Sequence, residues 1–248
     1  MMKNIELFIQ EDFYHHGVMQ YVPWNPATAP HIVIFGATGT GKTYATKLML
    51  GRISIQCPDS CIYVCDFKGD SDFSFLEGES RFFRFFDCEK GLSIFYDEFQ
   101  KRQSGQDSRR HFLLLFFDEW ASYILNLDKK KAEDEKKKLA SLLMLGRSFN
   151  VHVLISQQRV DASYFNAARD NFNLVVALGN LSEEGKEMMF REFKDRMKPD
   201  RKQGTGYMLT NGTDFTPILV PSISSMERLL HCIKQAVTRL PLPGACKA

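Results

Sequence analysis

The chain has 248 residues, 44% hydrophobic and 25% charged, enough apolar material for a sizeable core and too much for wholesale disorder. Thirty-two basic residues against thirty acidic ones leave a formal charge of +2, so any contact with a polyanion must come from local patches. The longest unbroken apolar run is the six residues from Phe112 to Phe117, against roughly 20 needed to span a bilayer. The N-terminus lacks the apolar stretch of a signal peptide. A transmembrane helix is therefore excluded, and a cytoplasmic location is expected.

In chain order, Ile5 to Ile9 and Val18 to Trp24, separated by a turn at Gly17, predict a β-hairpin. Pro23, Pro26 and Pro30 then lead into an apolar strand, His31 to Phe35, with glycines and a helix from about Lys42 to Arg52 behind it. Further apolar runs at Cys61–Phe67, Phe112–Phe117, Val151–Ser156 and Leu174–Leu178 alternate with helical or polar segments, the pattern of a buried parallel sheet flanked by helices. Lys129 to Lys138 holds six lysines and three acids; it reads as a solvated helix face with Glu/Lys pairs, or alternatively as a contact for a phosphate backbone. Near the end, Asn211-Gly212 predicts a hairpin turn between Tyr207–Leu209 and Phe215–Val220. Ser222 to Thr238 predicts a helix capped by Ser222 or Ser224. The expected division is a hairpin and lead-in over 1–30, an α/β core over 31–222, and a helix and tail over 223–248.

Cysteines stand at 57, 61, 65, 88, 232 and 246. Cys61 and Cys65 fall on one predicted strand, where four residues span roughly 13 Å, too far for two thiolates on one tetrahedral ion. No structural metal is expected from them, and they read as reduced, buried thiols.

The chemistry centres on Gly36-Ala37-Thr38-Gly39-Thr40-Gly41-Lys42-Thr43, which fits G-x-x-x-x-G-K-[ST] at every position between a strand and a helix. Glycines let backbone N–H groups wrap phosphates, and the helix adds its positive end. Lys42 is expected to reach the β- and γ-phosphates of ATP, and Thr43 to hold Mg2+. Asp118 and Glu119 end the apolar strand Phe112–Phe117, at the edge where α/β sheets bind ligands. Asp118 is expected to hold the Mg2+ and Glu119 to polarise the attacking water. The polar amides after Val151–Ser156 can sense a γ-phosphate or orient water, while His152 reads as a packing residue. No Asn-Lys-x-Asp guanine reader and no Leu-Ser-Gly-Gly-Gln transporter signature occurs. The Asp-Glu pair argues against a small-molecule kinase, which leaves ATP hydrolysis coupled to motion.

These elements resemble the FtsK/SpoIIIE DNA translocases of the HerA–FtsK group of P-loop ATPases. The resemblance covers roughly residues 18–220. It rests on Pro30–Gly36, Asp66-Phe67-Lys68-Gly69, Leu145–His152, Ser156-Gln157-Gln158-Arg159 and Gly204–Leu209. It implies a RecA-like core, a usually hexameric homo-oligomeric ring around double-stranded DNA, and ATP sites between subunits. By the same resemblance Gln158 senses the γ-phosphate, Arg147 enters the neighbour's site, and Arg159 and Arg169 face DNA phosphates. The chain departs from the family where Glu183 stands near a usual lysine and Val160 replaces a usual proline. A conjugative or phage coupling protein, working with membrane-bound transfer machinery made of other chains, fits this pattern. The alternatives are a related ATPase driving protein secretion or pore assembly, and a nucleotide-gated scaffold.

Overall fold

Residues 4–239 are described by the computed structural model, and each central apolar run of the sequence is a strand in it. The elements in chain order are β1 (Ile5–Gln10), α1 (Glu11–His15), β2 (Tyr21–Trp24), β3 (His31–Phe35), α2 (Lys42–Gln56) and β4 (Cys61–Asp66). There follow β5 (Phe82–Arg84), α3 (Cys88–Gln103), β6 (Leu113–Asp118), α4 (Trp120–Leu125), α5 (Lys129–Leu145) and β7 (Val151–Gln157). The last are β8 (Leu174–Leu178), α6 (Glu183–Met189), β9 (Thr205–Thr210), β10 (Asp214–Leu219) and α7 (Met226–Thr238). They build one ten-stranded sheet in the order β2-β1-β10-β9-β8-β3-β7-β6-β4-β5. The block β8-β3-β7-β6-β4-β5 is parallel, and the pairings from β8 out to β2 are antiparallel.

Both faces of the parallel block are covered, which is why its strands read as unbroken apolar runs. Side chains alternate between the faces. Val33, Leu115, Phe117, Val153 and Ile155 pack with α3 and α5 through Leu92, Phe95, Leu139 and Leu142. Ile32, Ile34, Leu114, Phe116 and Leu154 pack with α2 and α7 through Leu48, Ile53, Leu229 and Ile233. Burying each such large side chain contributes about 1.5–3 kcal/mol. Helix α2 runs past Arg52 to Gln56 because Ile53 is part of this core. Gly51 lets α7 approach closely; a Cβ there would lie 2.3 Å from Leu229 Cδ1.

Two local expectations change. The β1–β2 hairpin forms, but the connection is the helical turn α1 as well as Gly17, pinned by a 2.7 Å ion pair between Glu11 and Arg201. On its other side β1 pairs with β10, so β2 is the sheet's edge strand. Helix α7 is capped by Ser225, whose hydroxyl accepts from Arg228 N at 3.3 Å, in place of Ser222 or Ser224. Residues 220–223 stay outside the helix, held where Val220 N donates to Gly204 O and Ile223 N to Tyr44 Oη.

The lysine run is the first half of α5, capped by Asp128, and its side chains pair as Lys136–Glu133, Lys137–Asp134 and Lys138–Glu135. Glu135 is buried and accepts from Tyr123 Oη at 2.9 Å. Cys61, Cys65 and Cys88 are buried free thiols, and Cys57 and Cys232 are half-buried; Cys246 lies outside the described residues, as does the tail beyond 239. Among the described residues no helix is long and apolar enough to cross a membrane.

Candidate functional site

Parallel strands bring their C-terminal ends to one side of the sheet, and the candidate site is built there. The loop after β3 starts at Gly36, buried with φ +152°, where a Cβ would lie 2.3 Å from the carbonyl oxygen of Leu178. Only glycine lets this turn pass so close to the end of β8. Gly41 caps α2 with φ +97°, which leaves the first helical N–H groups facing the loop. The Lys42 ammonium donates to the carbonyls of Gly36 at 2.6 Å and Ala37 at 3.1 Å. Burial lowers its pKa from the ordinary lysine value, and Glu119 and Asp118 oppose that.

Asp118, at the end of β6, stands in register between Asp66 of β4 and Ser156 of β7. Its exposure is 9%, and burial pushes its pKa up to about 7, against the Ser156 hydroxyl and with the help of Glu119 and Asp66. Glu119 follows in the left-handed region at φ 57° and ψ 47°, its N–H bonded to Ser156 O at 2.7 Å and its carbonyl accepting from Tyr123 N at 3.0 Å. A left-handed non-glycine residue costs about 1 kcal/mol or more; here it turns the carboxylate out of the strand as α4 begins. Burial raises the Glu119 pKa, opposed by Lys42, Lys68 and hydrogen bonds from the Gln158 and Ser122 side chains.

One cavity of about 400 Å³ is lined by Thr38, Gly39, Gly41, Lys42, Thr43, Asp118, Glu119 and Gln158. The structure thus gathers the loop, the acid pair and Gln158. Gln157, at the end of β7, is buried and turns its amide onto the Arg159 carbonyl. Lys68, Asp72, Ser156, Tyr44 and Gln203 also line the cavity, and none of these had been assigned a role at the site. Lys68 sits on the turn that Asp66 shapes by accepting from Gly69 N at 2.9 Å, and it pairs with Asp70 at 2.6 Å. Gln203 arrives because Gly204 N donates to Thr40 O at 3.0 Å, a contact with no local sequence signal.

The arginines lie elsewhere. Arg147 is exposed in the turn after α5, before β7 begins, so it stands at the sheet end opposite its own phosphate loop. Arg159 follows β7 and pairs with Glu184, with Asp161 at 3.7 Å. Arg169 precedes β8, 3.7 Å from Asp170, at the other strand end from Arg159. His152 is buried, stacked on Phe112 at 4.1 Å, with ring nitrogens 3.0 Å from Pro30 O and 2.8 Å from Asn150 Oδ1; it packs, as its position suggested.

A glycine-rich loop between a parallel strand and a helix, facing an acid pair on a central strand, defines the P-loop ATPase fold. No family model matches the chain. The Ftsk domain-containing protein YdcQ of Bacillus subtilis (strain 168) is 26% identical over 257 residues, covering 95% of this chain and 53% of that protein. The chain thus spans about half the length of this curated relative. The pCW3 conjugation coupling protein TcpA, solved as a monomer with ATPγS, superposes with a TM-score of 0.70 at 18% identity, over 89% of this chain and 66% of that one. The cytoplasmic domain of EccC, the Type VII secretion ATPase of Thermomonospora curvata, gives 0.72 at 17% identity, over 98% of this chain and 32% of that one. The chain thus has the fold of P-loop ATPase domains and is similar in sequence to an FtsK domain-containing protein.

Proposed function

We propose that the chain hydrolyses ATP with Mg2+ and, assembled with further copies of itself in a hexameric ring, drives movement of double-stranded DNA. The observation that carries this reading is the convergence of Lys42, Thr43, Asp118, Glu119 and Gln158 on one cavity. The donor set suits a hard divalent ion: burial leaves the charged form of Asp118 poorly solvated, and oxygen-bound Mg2+ relieves that deficit. Thr43 and Asp118 would hold the ion, which supplies positive charge against the phosphate oxygens.

Backbone N–H groups of 36–43 and the start of α2 bind the phosphates, with the Lys42 ammonium on the β- and γ-groups. Gln158 positions the attacking water or senses the γ-phosphate. Glu119 accepts the water proton as the new oxygen–phosphorus bond forms and the bond to the bridging oxygen breaks, leaving ADP and phosphate. Arg147, remote from its own loop, would complete the site of a neighbouring copy. Arg159 and Arg169 would contact backbone phosphates, which suits a motor indifferent to sequence.

The test is ATP turnover with and without long linear duplex DNA, at low and moderate salt. Stimulation that weakens with salt and disappears in Glu119→Gln, with ATP binding retained, is expected. Wild-type turnover by Glu119→Gln refutes the assignment. A second reading, a protein-secretion ATPase, is favoured by the pairing of Arg159 with Glu184 and by the likeness to EccC. Turnover that is lost in Glu119→Gln but indifferent to DNA would select it.

A further inference from the structure

The order of the strands gives the nucleotide cavity a direction. Strand β3, which carries the phosphate loop, lies between β7 and β8, with β6 beyond β7 and β9 beyond β8. Glu119 and Gln158, which face the γ-phosphate on the proposed reading, follow β6 and β7. A triphosphate laid along the loop therefore points its γ end toward β6. Its α-phosphate and nucleoside leave on the side of β8 and β9, over the first turn of α2.

Two segments close the cavity on that side. The turn before β9 is tied to the loop, Gly204 N donating to Thr40 O at 3.0 Å. It brings Gln203 so near Gly41 that a Cβ there would stand 3.8 Å from Gln203 Cγ. The second segment is the start of α2, where Tyr44 directly follows Thr43. Among the described residues that line the cavity, Tyr44 alone is aromatic; the others offer glycine backbone, hydroxyls, amides, ammonium groups and carboxylates. Those groups suit phosphates and a divalent ion, but a flat base finds no apolar surface among them.

The Tyr44 hydroxyl is already committed. It accepts from Ile223 N at 2.6 Å, on the stretch between β10 and α7. The side chain is nevertheless not packed away, since the residue is 37% exposed. A buried tyrosine satisfies its hydroxyl and hides its ring; this one is anchored at the hydroxyl and left partly open at a cavity wall. The anchor restricts the side-chain torsions, so the ring is in place before a ligand arrives.

We infer that Tyr44 is the platform on which the base of a purine nucleoside triphosphate stacks while its phosphates occupy the loop. The inference rests on the proposed ATPase reading and adds to it the residue that holds the nucleoside. A stack of base on aromatic ring strengthens binding on the order of tenfold to a hundredfold.

The test compares ATPγS with inorganic tripolyphosphate, each with Mg2+, by titration calorimetry on the whole chain. Tripolyphosphate has the phosphates and no base, so it reports on the loop alone. Tyr44→Ala should bind ATPγS about tenfold or more weakly and tripolyphosphate as wild type does, the second result showing that the loop is still folded. Tyr44→Phe keeps the ring and loses the bond to Ile223 N; it should retain most of the affinity for ATPγS. Unchanged ATPγS binding by Tyr44→Ala overturns the inference, as does a parallel loss of both ligands. A loss in Tyr44→Phe as large as in Tyr44→Ala also overturns it, because the effect then belongs to the anchored stretch and not to stacking. Binding of neither ligand by wild type refutes the nucleotide reading and this inference with it. Wild type that binds ATPγS through Tyr44 yet turns over no ATP refutes the motor alone, and the base platform stands.

Discussion

Asp118→Asn separates the stability of the bare fold from the chemistry of the site. Burial raises the Asp118 pKa from 3.8 to about 7, so the folded chain holds this proton more tightly than the unfolded chain does. Stability from this group is then greatest at low pH, falls as pH rises from about 4, and levels off above about 7. A gap of roughly three pH units at about 1.36 kcal/mol each amounts to about 4 kcal/mol, of which about 3 kcal/mol develops between pH 5 and pH 8. The assay is urea unfolding of both proteins from pH 5 to pH 8.5 with chelator and no nucleotide. Asp118→Asn should become progressively more stable than wild type as pH rises, while losing Mg2+-dependent turnover. A stability difference that does not change with pH would refute the burial argument, because a constant offset reflects packing and not ionisation.

Gly36→Ala places a methyl 2.3 Å from the Leu178 carbonyl oxygen; thermal melting should show a loss of about 2 kcal/mol or more, and a fluorescent-nucleotide titration should show weakened binding. An unchanged midpoint would mean that the loop is freer than its contact with β8 implies. Glu184→Gln removes the closer of the two carboxylates that pair with Arg159. If Arg159 meets DNA phosphates, binding to duplex at low salt should tighten about two- to fivefold and the salt slope should steepen by about one contact. Unchanged retention on DNA would remove Arg159 from that role.

How much of this was legible depended on whether the signal is local. The phosphate loop occupies eight consecutive residues, and the strand and helix beside it are contiguous, so the sequence displays the whole unit. The central strands were equally plain, because burial on both faces leaves no polar alternation to confuse the reading. Alignment of Asp118 with Asp66 and Ser156 was hidden, since it needs the register of three strands distant in sequence. Gln203 was hidden for the same reason, its place set by a backbone bond from Gly204 to Thr40. The cap of α7 was misplaced because candidate serines stand at 222, 224 and 225. The long-range bonds of Val220 and Ile223, which local pattern does not reveal, hold the chain outside the helix through the first of them.

The parallel block also separates the candidate functional groups by strand end. Its C-terminal ends carry Asp66, Asp118 and Glu119 beside Lys42 and Lys68, and the N-terminal side carries Arg110 and Arg147. Strand β7 joins the two, with Arg147 before its seven residues and Gln158 after them, and at about 3.3 Å per residue the separation is roughly 20 Å. No side chain spans that distance, so Arg147 and Gln158 cannot meet the same nucleotide within one chain. Any chemistry that uses both must set the N-terminal edge of one copy against the C-terminal edge of another. Such a head-to-tail contact is heterologous and closes into a ring if its rotation permits. On the proposed reading, in which Arg147 serves a neighbouring copy, the direction of the strands ties turnover to assembly.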